Sequence, residues 1–257
     1  MNQKMSVFLL FLLIGLLGCC FGSFFMVVGL RIPLGQSIVH PASHCADCQH
    51  SLGPTELIPV FSFLFQKGRC RHCRASLSLF YPLSEIWTGF LFVSIALAFA
   101  AQPQELFLMY LLVAFSLIFS VTDLHYQLLP DSLMASFFSL VLIGRMLYHP
   151  LSFTHYLLSA LFYFSLFYAL YWITDQAIGG GDVKLFGILG LFLGFKLMLF
   201  TLFAASLSLL LLASILLLLK KITRQTHLPF APFIFFGVFF SIRYGEALLA
   251  LTEKLFI

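Results

Sequence analysis

Charged side chains are scarce in this sequence, and their scarcity excludes a water-soluble globular protein. Asp, Glu, Lys and Arg make up 9% of the 257 residues, against about 25% in an average soluble domain. Hydrophobic residues make up 61% and include 33 Phe, more apolar surface than a soluble fold of this size can bury. Runs of roughly 20 apolar residues are long enough to cross a bilayer core of about 30 Å as helices. The composition therefore predicts an all-α polytopic membrane protein.

Low-complexity tracts and internal repeats are also absent, so hydropathy alone divides the chain. The one sizeable polar insert, residues 31–82, follows the first apolar run. That first run is too long for a signal-peptide core and lacks a small-residue cleavage site, so we expect a retained transmembrane helix. In all we predict about eight transmembrane helices, at residues 6–30, 83–101, 105–122, 132–148, 155–174, 183–195, 198–219 and 229–248.

The basic residues indicate an orientation. Most fall in alternate connections, and these are Arg31, Lys67, Arg69, Arg71, Arg74, Lys184, Lys220, Lys221 and Arg224. Short cytoplasmic loops carry the Lys/Arg excess of membrane proteins, so we predict that the polar insert is cytoplasmic and that both termini lie outside. The net charge of +4 is small, and nucleic-acid binding needs more than this. We therefore predict the lipid bilayer, and no nucleic acid, as a partner.

Four of the six cysteines form two C-x-x-C pairs in the polar insert. They are Cys45, Cys48, Cys70 and Cys73. Two such pairs about 20 residues apart suit a tetrahedral zinc site; the alternatives are two disulfides, which a reducing cytoplasm disfavours, or a redox pair. We predict a structural zinc, because a loop of about 50 residues has too little core to fold without one. His44, His50 and His72 are predicted to be surface residues or hydrogen-bond donors rather than ligands.

Acidic residues stand at the ends of four hydrophobic segments: Asp123, Asp131, Asp175 and Asp182. Acids in or beside membrane helices are rare and usually functional. Two carboxylates that share a proton can polarise a peptide carbonyl and activate water, which is the chemistry of aspartic proteolysis. The same acids would also suit a proton- or ion-coupled transporter.

The surroundings of these acids differ. Asp131 follows Pro130 and precedes an apolar run, which is typical of a helix N-cap. Asp182 follows Gly179-Gly180-Gly181, a run that lets a backbone or a substrate approach closely, and Lys184 is expected to interact with it. Glu85, at the start of the second segment, is predicted to be a first-turn charge.

Five ordered blocks of sequence resemble the type IV prepilin peptidase family, within the GxGD class of membrane aspartyl proteases. The blocks are Gly22-Ser23-Phe24 with Arg31-Ile32-Pro33; the double C-x-x-C loop with Gly68-Arg69-Cys70-Arg71; Tyr81-Pro82-Leu83-Ser84-Glu85; Asp123 with Leu129-Pro130-Asp131; and Gly179-Gly180-Gly181-Asp182-Val183-Lys184-Leu185. Together they cover most of residues 20–190. One departure is Met26, where many relatives have Asn.

This resemblance implies a prepilin peptidase of the bacterial inner membrane, with its active site facing the cytoplasm. Asp123 and Asp182 would be its catalytic residues, and the residues near the site would be Asp131, Gly179, Gly180, Gly181 and Lys184. The substrates would be type IV prepilins and type II secretion pseudopilins, whose short basic leaders are cut after glycine and before an apolar helix. Many members with the cysteine loop also methylate the new N-terminus, using S-adenosylmethionine.

The implied organisation has three parts: a first transmembrane helix in residues 1–30, a cytoplasmic zinc-binding domain with four cysteine ligands in 31–82, and a membrane aspartyl peptidase domain in 83–257. Two other functions stay open on the residues alone. A transporter would need acids reachable from both sides of the membrane, and the outer half offers almost none; its charged residues are mainly Arg145 and Arg243. A non-enzymatic pilus assembly factor would need no catalytic aspartate.

Overall fold

The regular structure of the chain is helical. The computed structural model describes residues 3–223 and 226–256, so Arg224 lies outside the described residues. Within those ranges no strand forms, and the backbone makes two isolated bridges, His44–Ser51 and Arg69–Ser76. The α-helices are α1 (Gln3–Arg31), α2 (Phe61–Phe65), α3 (Phe80–Phe99), α4 (Pro103–Tyr126), α5 (Asp131–Leu147), α6 (Phe153–Ile173), α7 (Gly180–Leu218) and α8 (Ala231–Phe256). They belong to two compact units, Met1–Val121 and Thr122–Ile257.

Most of these helices are apolar and long. Among the described residues, α1, α3, α4, α6 and α7 are long and apolar enough to cross a membrane. Helix α5 and the apolar part of α8 are shorter. Prolines set two of the boundaries, since Pro103 begins α4 and Pro130 directly precedes α5, where the missing amide of proline costs nothing. The prediction of an all-α polytopic membrane fold is confirmed.

Helix α7 contains a sharp break at Gly194, with φ 76° and ψ 178°. The first limb of α7, before this residue, packs closely on α6. A Cβ on Gly187 would lie 3.1 Å from Phe164, and one on Gly190 would lie 3.0 Å from the carbonyl oxygen of Ser159. Small residues at such positions let membrane helices approach each other. Gly194 differs from these two glycines, because its left-handed φ requires glycine for the break itself.

The second limb of α7, after Gly194, runs beside α8 in the opposite direction. The contacts that show this are Leu197 with Gly245, and Thr201 with Ser241, whose hydroxyl oxygens are 2.8 Å apart. The first limb also reaches the start of α8, where the rings of Phe186 and Phe230 lie 5.9 Å apart. A straight α7 could not make both sets of contacts. The chain therefore turns back at Gly194, and the predicted sixth and seventh segments are the two limbs of one interrupted helix.

Buried polar side chains satisfy the carbonyl groups around this break. Arg145, which is 3% exposed, donates from Nε and Nη2 to the carbonyl oxygen of Phe192, at 3.1 and 2.8 Å. Its guanidinium carbon lies 4.9 Å from the ring centres of both Tyr156 and Phe192. The hydroxyl of Tyr163 donates to the carbonyl oxygen of Phe195 at 2.9 Å. In a bilayer no water can replace these donors, so the break depends on them.

Replacing Arg145 with Met should destabilise the second unit by about 1–3 kcal/mol, because it leaves a buried carbonyl without a donor. The measurement is the thermal unfolding midpoint of the purified protein in detergent. Arg243→Met is the matched control, since Arg243 is exposed on α8 and its loss should change stability by less than about 0.5 kcal/mol. Equal midpoints for the two variants would contradict the role given to Arg145.

In the first unit, α1 and α3 pack through glycine. A Cβ on Gly18 would lie 2.8 Å from the Cα of Gly89, so the two backbones are in direct contact, as is typical of membrane helices. Further along α1, Met26 is 2% exposed and packs with Leu117 and Val121 of α4. Met26 therefore lies among apolar neighbours.

Candidate active site and metal centre

Asp123 lies in the last turn of α4 and is fixed by the start of α8. Its carboxylate is largely buried, and its Oδ2 accepts a hydrogen bond of 2.7 Å from the amide of Ala231. The amide of Phe230 also interacts with it. The first amides of a helix have no partner within the helix. A carboxylate placed there accepts their hydrogen bonds and interacts favourably with the positive end of the helix dipole. Asp123 therefore joins two segments that are 108 residues apart in sequence.

Asp182 lies in the first turn of α7 and interacts electrostatically with Asp123. The structure thus brings together the two aspartates that were predicted to be catalytic. Each stands beside the N-terminus of a helix, Asp182 on α7 and Asp123 against α8. Partial positive charge from two helix ends offsets the repulsion between the two acids.

The glycines before Asp182 allow close packing rather than an unusual backbone. A Cβ on Gly181 would lie 2.9 Å from the Cβ of Leu129, so the turn between α4 and α5 rests directly on this glycine. A Cβ on Gly179 would lie 3.0 Å from Oδ2 of Asp182 and would crowd the carboxylate. Gly180 has more room, since Tyr171 is the nearest neighbour at 4.0 Å.

Asp131 and Lys184 form an ion pair, with Nζ and Oδ1 2.5 Å apart. Two expectations are corrected here. Asp131 is not the N-cap of α5, because the helix begins at Asp131 and Pro130 occupies the cap position. The partner that the structure gives Lys184 is Asp131 and not Asp182. Both charged groups are substantially exposed, at 49% for Lys184 and 78% for Asp131, so the pair contributes little stability.

An apolar groove of about 440 Å³ begins at this ion pair and runs between α5, α6 and the first limb of α7. Asp131 and Lys184 stand among the lining residues, and the rest of the lining is apolar, including Met134, Phe138, Leu161, Phe164 and Leu191. Lys184 is two residues from Asp182 along the chain. The groove therefore joins the neighbourhood of the aspartate pair to an apolar surface.

The four predicted zinc ligands lie together in the first unit. All four Sγ atoms are within 4.8 Å of one another, with Cys45 3.8 Å from Cys73 and Cys48 4.0 Å from Cys70. A zinc–sulfur distance of about 2.3 Å in a tetrahedron places sulfurs about 3.8 Å apart. The cysteine cluster therefore fits a zinc ion.

The two cysteine pairs sit in equivalent turns. In the first, Cys45 N bonds to His50 O, and in the second Cys70 N bonds to Ala75 O, at 3.0 and 2.9 Å. Amide hydrogen bonds from Cys73 and His72 lower the pKa of the Cys70 thiol to about 7. The amide of Ala75 lowers the pKa of Cys73, but burial and the neighbouring thiols outweigh it and raise that pKa to about 12. Four thiolates this close form together only around a cation.

Comparisons with known proteins agree with this arrangement. Residues 16–99 match the family described as the bacterial peptidase A24 N-terminal domain, and residues 110–214 match the type IV leader peptidase family. A prepilin leader peptidase/N-methyltransferase of Bacillus subtilis (strain 168) is 34% identical over 93% of this chain and 96% of its own length. The chain belongs to the type IV leader peptidase family.

Other relatives of this leader peptidase carry the same name. The protein of Klebsiella pneumoniae is 37% identical over 74% of this chain and 87% of its own length. That of Pseudomonas aeruginosa is 30% identical over 90% of this chain and 89% of its own length. No solved structure matches the chain. The predicted family and the class of enzyme, a membrane peptidase, are confirmed.

Glu85 of this leader peptidase is not the first-turn charge expected from the sequence. Helix α3 begins at Phe80, and Glu85 lies in its second turn, 7% exposed. Its Oε2 accepts a hydrogen bond of 2.7 Å from the amide of Val60, and Ser23 of α1 also bonds to it. Val60 has φ 63°, a strained conformation for a β-branched residue. Glu85 thus fastens a strained turn of the polar insert to two membrane helices.

Two residues of the aspartate site were not identified from the sequence: Phe230 and Ala231. They bind Asp123 through backbone amides, so their side chains carry no chemical signature. Pro229 and Pro232 lie on either side of these residues and indicate the start of a helix. Nothing in the local sequence relates that helix start to a carboxylate 108 residues earlier.

Gly181→Ala should reduce leader cleavage by about 10–100-fold, because the new Cβ must displace Leu129 and with it the position of Asp182. Gly180→Ala is the matched control and should retain most of the activity, since a Cβ fits there. Both variants are assayed by cleavage of a prepilin peptide, with membrane insertion checked in parallel. Full activity of Gly181→Ala would show that the contact with Leu129 does not position the site.

Proposed function

We propose that this chain is an aspartic endopeptidase that removes the short basic leader from type IV prepilins and type II secretion pseudopilins, after glycine, with Asp123 and Asp182 as its catalytic residues. The observation that carries the proposal is that these two carboxylates, at the end of α4 and the start of α7, lie close enough to interact electrostatically. The names of the relatives support the class of substrate.

The chemistry follows from the pairing of the acids. Two neighbouring carboxylates that act on one peptide bond cannot both ionise cheaply, so the mechanism requires one of them to hold a proton. The ionised member accepts a proton from water as the water oxygen attacks the scissile carbonyl. The protonated member donates a hydrogen bond to the carbonyl oxygen. A proton then passes to the leaving amine as the carbon–nitrogen bond breaks. Ala231 contributes by fixing the orientation of Asp123.

The site is proposed to face the cytoplasm from the bacterial inner membrane, on the distribution of Lys and Arg. The domain organisation is proposed as a first transmembrane helix in 1–30, a cytoplasmic zinc domain in 31–82 and the peptidase domain in 83–257. A structural zinc would be held by the four clustered cysteines. The relatives' names also suggest N-methylation from S-adenosylmethionine. The described residues contain no glycine-rich nucleotide-binding motif to which that cofactor can be assigned.

The apolar groove is proposed to hold the apolar helix that follows the cleavage site. Its wall is apolar from Met134 to Leu191, and it begins at the Asp131–Lys184 pair. The exposed, charged mouth suits the polar leader, while the groove itself suits the apolar segment. A substrate laid across this boundary would place its cleavage site near Asp182.

Asp123→Asn and Asp182→Asn should each reduce leader cleavage by about 10²–10⁴-fold, because an amide keeps the shape of the carboxylate but cannot cycle a proton. Asp175→Asn is the matched control: Asp175 is exposed beyond the end of α6 and should be dispensable. Asp131→Asn should retain more activity than either variant of the pair. The assay incubates purified protein with a prepilin and determines the product mass, which reports cleavage and methylation separately. Substantial cleavage by either variant of the pair would refute the dyad.

Ala135→Trp should raise the KM for a prepilin that retains its apolar helix by about tenfold, since Ala135 lines the groove and the indole would occupy it. Ser136→Trp is the control, because Ser136 is exposed on the same helix but does not line the groove. A short leader peptide without the apolar helix should be cut equally by both variants. An unchanged KM in Ala135→Trp would indicate that lipid, and not substrate, fills the groove.

A further inference from the structure

A second cluster of metal-ligating groups lies in the polar insert. His50, Glu56 and His72 place ligand atoms within 4.8 Å of one another. The two imidazole rings lie 3.4 Å apart between centres, at 35° to each other. We propose that these three residues bind a second divalent transition-metal ion of the zinc class, separate from the four cysteines. The sequence had suggested that His50 and His72 were not ligands.

The carboxylate of Glu56 carries the strongest indication. Its Oε2 accepts a hydrogen bond of 2.9 Å from the amide of Gly53, which fixes the side chain. Its Oε1 is shielded from solvent and has no hydrogen-bond partner among the described residues. A buried carboxylate oxygen without a partner is costly. A cation between Glu56 and the two imidazoles would supply that partner.

The ligand set determines which metal fits. Two imidazoles and one carboxylate, with a water in the fourth position, form a common zinc site, whereas magnesium and calcium prefer oxygen ligands. Ligand atoms about 2.0–2.1 Å from a tetrahedral zinc lie about 3.4 Å apart, so the groups now within 4.8 Å close on an ion by side-chain rotations that also separate the two imidazole rings. Both histidines are exposed and are free to make them.

Electrostatics also favours a cation here. A zinc ion with four thiolates carries a net negative charge, and His72 lies between two of those thiolates in sequence. His50 is two residues beyond Cys48. Arg69, Arg71 and Arg74 surround the second pair and are exposed, so they offset that charge only through the high dielectric of water. The second ion would tie both cysteine turns to the turn that contains Gly53 and Glu56.

The test is a count of bound metal. Full-length protein is purified in detergent, stripped of metal, reloaded with excess zinc and desalted before elemental analysis. Wild type should retain two zinc ions per chain, and His50→Ala and Glu56→Gln should each retain one. His44→Ala is the matched control and should retain two, because the His44 ring is held by the carbonyl oxygen of Ala42 at 3.0 Å and lies outside the cluster.

Cobalt loading separates the two sites. The thiolate-to-cobalt charge-transfer absorption reports the cysteine cluster and should be unchanged in His50→Ala and Glu56→Gln. The proposal is overturned if wild type retains one zinc ion or none, if both variants retain two, or if they lose the thiolate absorption together with the metal. None of these readouts depends on peptidase activity, so the outcome is independent of the proposed function.

Discussion

The break in α7 at Gly194 determines where the aspartate pair can form. After this break the chain runs back to the same end of the second unit at which α7 begins. Without it, the second limb would end far from Asp182, and the short connection to α8 could not reach Asp123. A break in a buried helix exposes carbonyl groups that a bilayer cannot hydrogen-bond. Arg145 and Tyr163 supply the missing donors. A buried guanidinium on α5 is thus a condition for a reversal that places the start of α8 beside Asp123.

The reversal matters chemically because it brings helix N-termini to the acids. Asp182 occupies the first turn of α7, and Asp123 accepts the first amide of α8. Each helix end presents unpaired amides and partial positive charge. A pair of carboxylates at an apolar boundary would otherwise be expensive to bring together. Lys184 is paired with Asp131. The positive ends of the two helices, and not a basic side chain, therefore offset much of the repulsion between Asp123 and Asp182.

Features set by local spacing could be predicted from the sequence, and features set by long-range contacts could not. The hydrophobic segments and the two C-x-x-C pairs follow from residues close together in the chain, and both appear in the structure. The site residues were selected by resemblance; Asp123 and Asp182 interact electrostatically in the structure, and their catalytic roles stay a prediction. The amides of Phe230 and Ala231 have no side-chain signature. The sequence around Asp131 matched an N-cap pattern, yet the side chain of Asp131 pairs with Lys184, which is distant in sequence.

The polar insert illustrates how a segment with little core can still have a defined structure. Its two cysteine turns have equivalent hydrogen bonds, but each is too small to bury an apolar core, so cross-links must replace hydrophobic burial. The clustered cysteines are placed so that a zinc ion would provide such cross-links within the insert. Glu85 provides the link to the membrane, since it binds Val60 on one side and Ser23 on the other. A strained φ at Val60 persists only where its surroundings fix it, and a buried carboxylate on a rigid transmembrane helix does so. The insert is therefore held at Val60 by the transmembrane helices, and the cysteine cluster at its other end has the geometry to be closed by a metal ion.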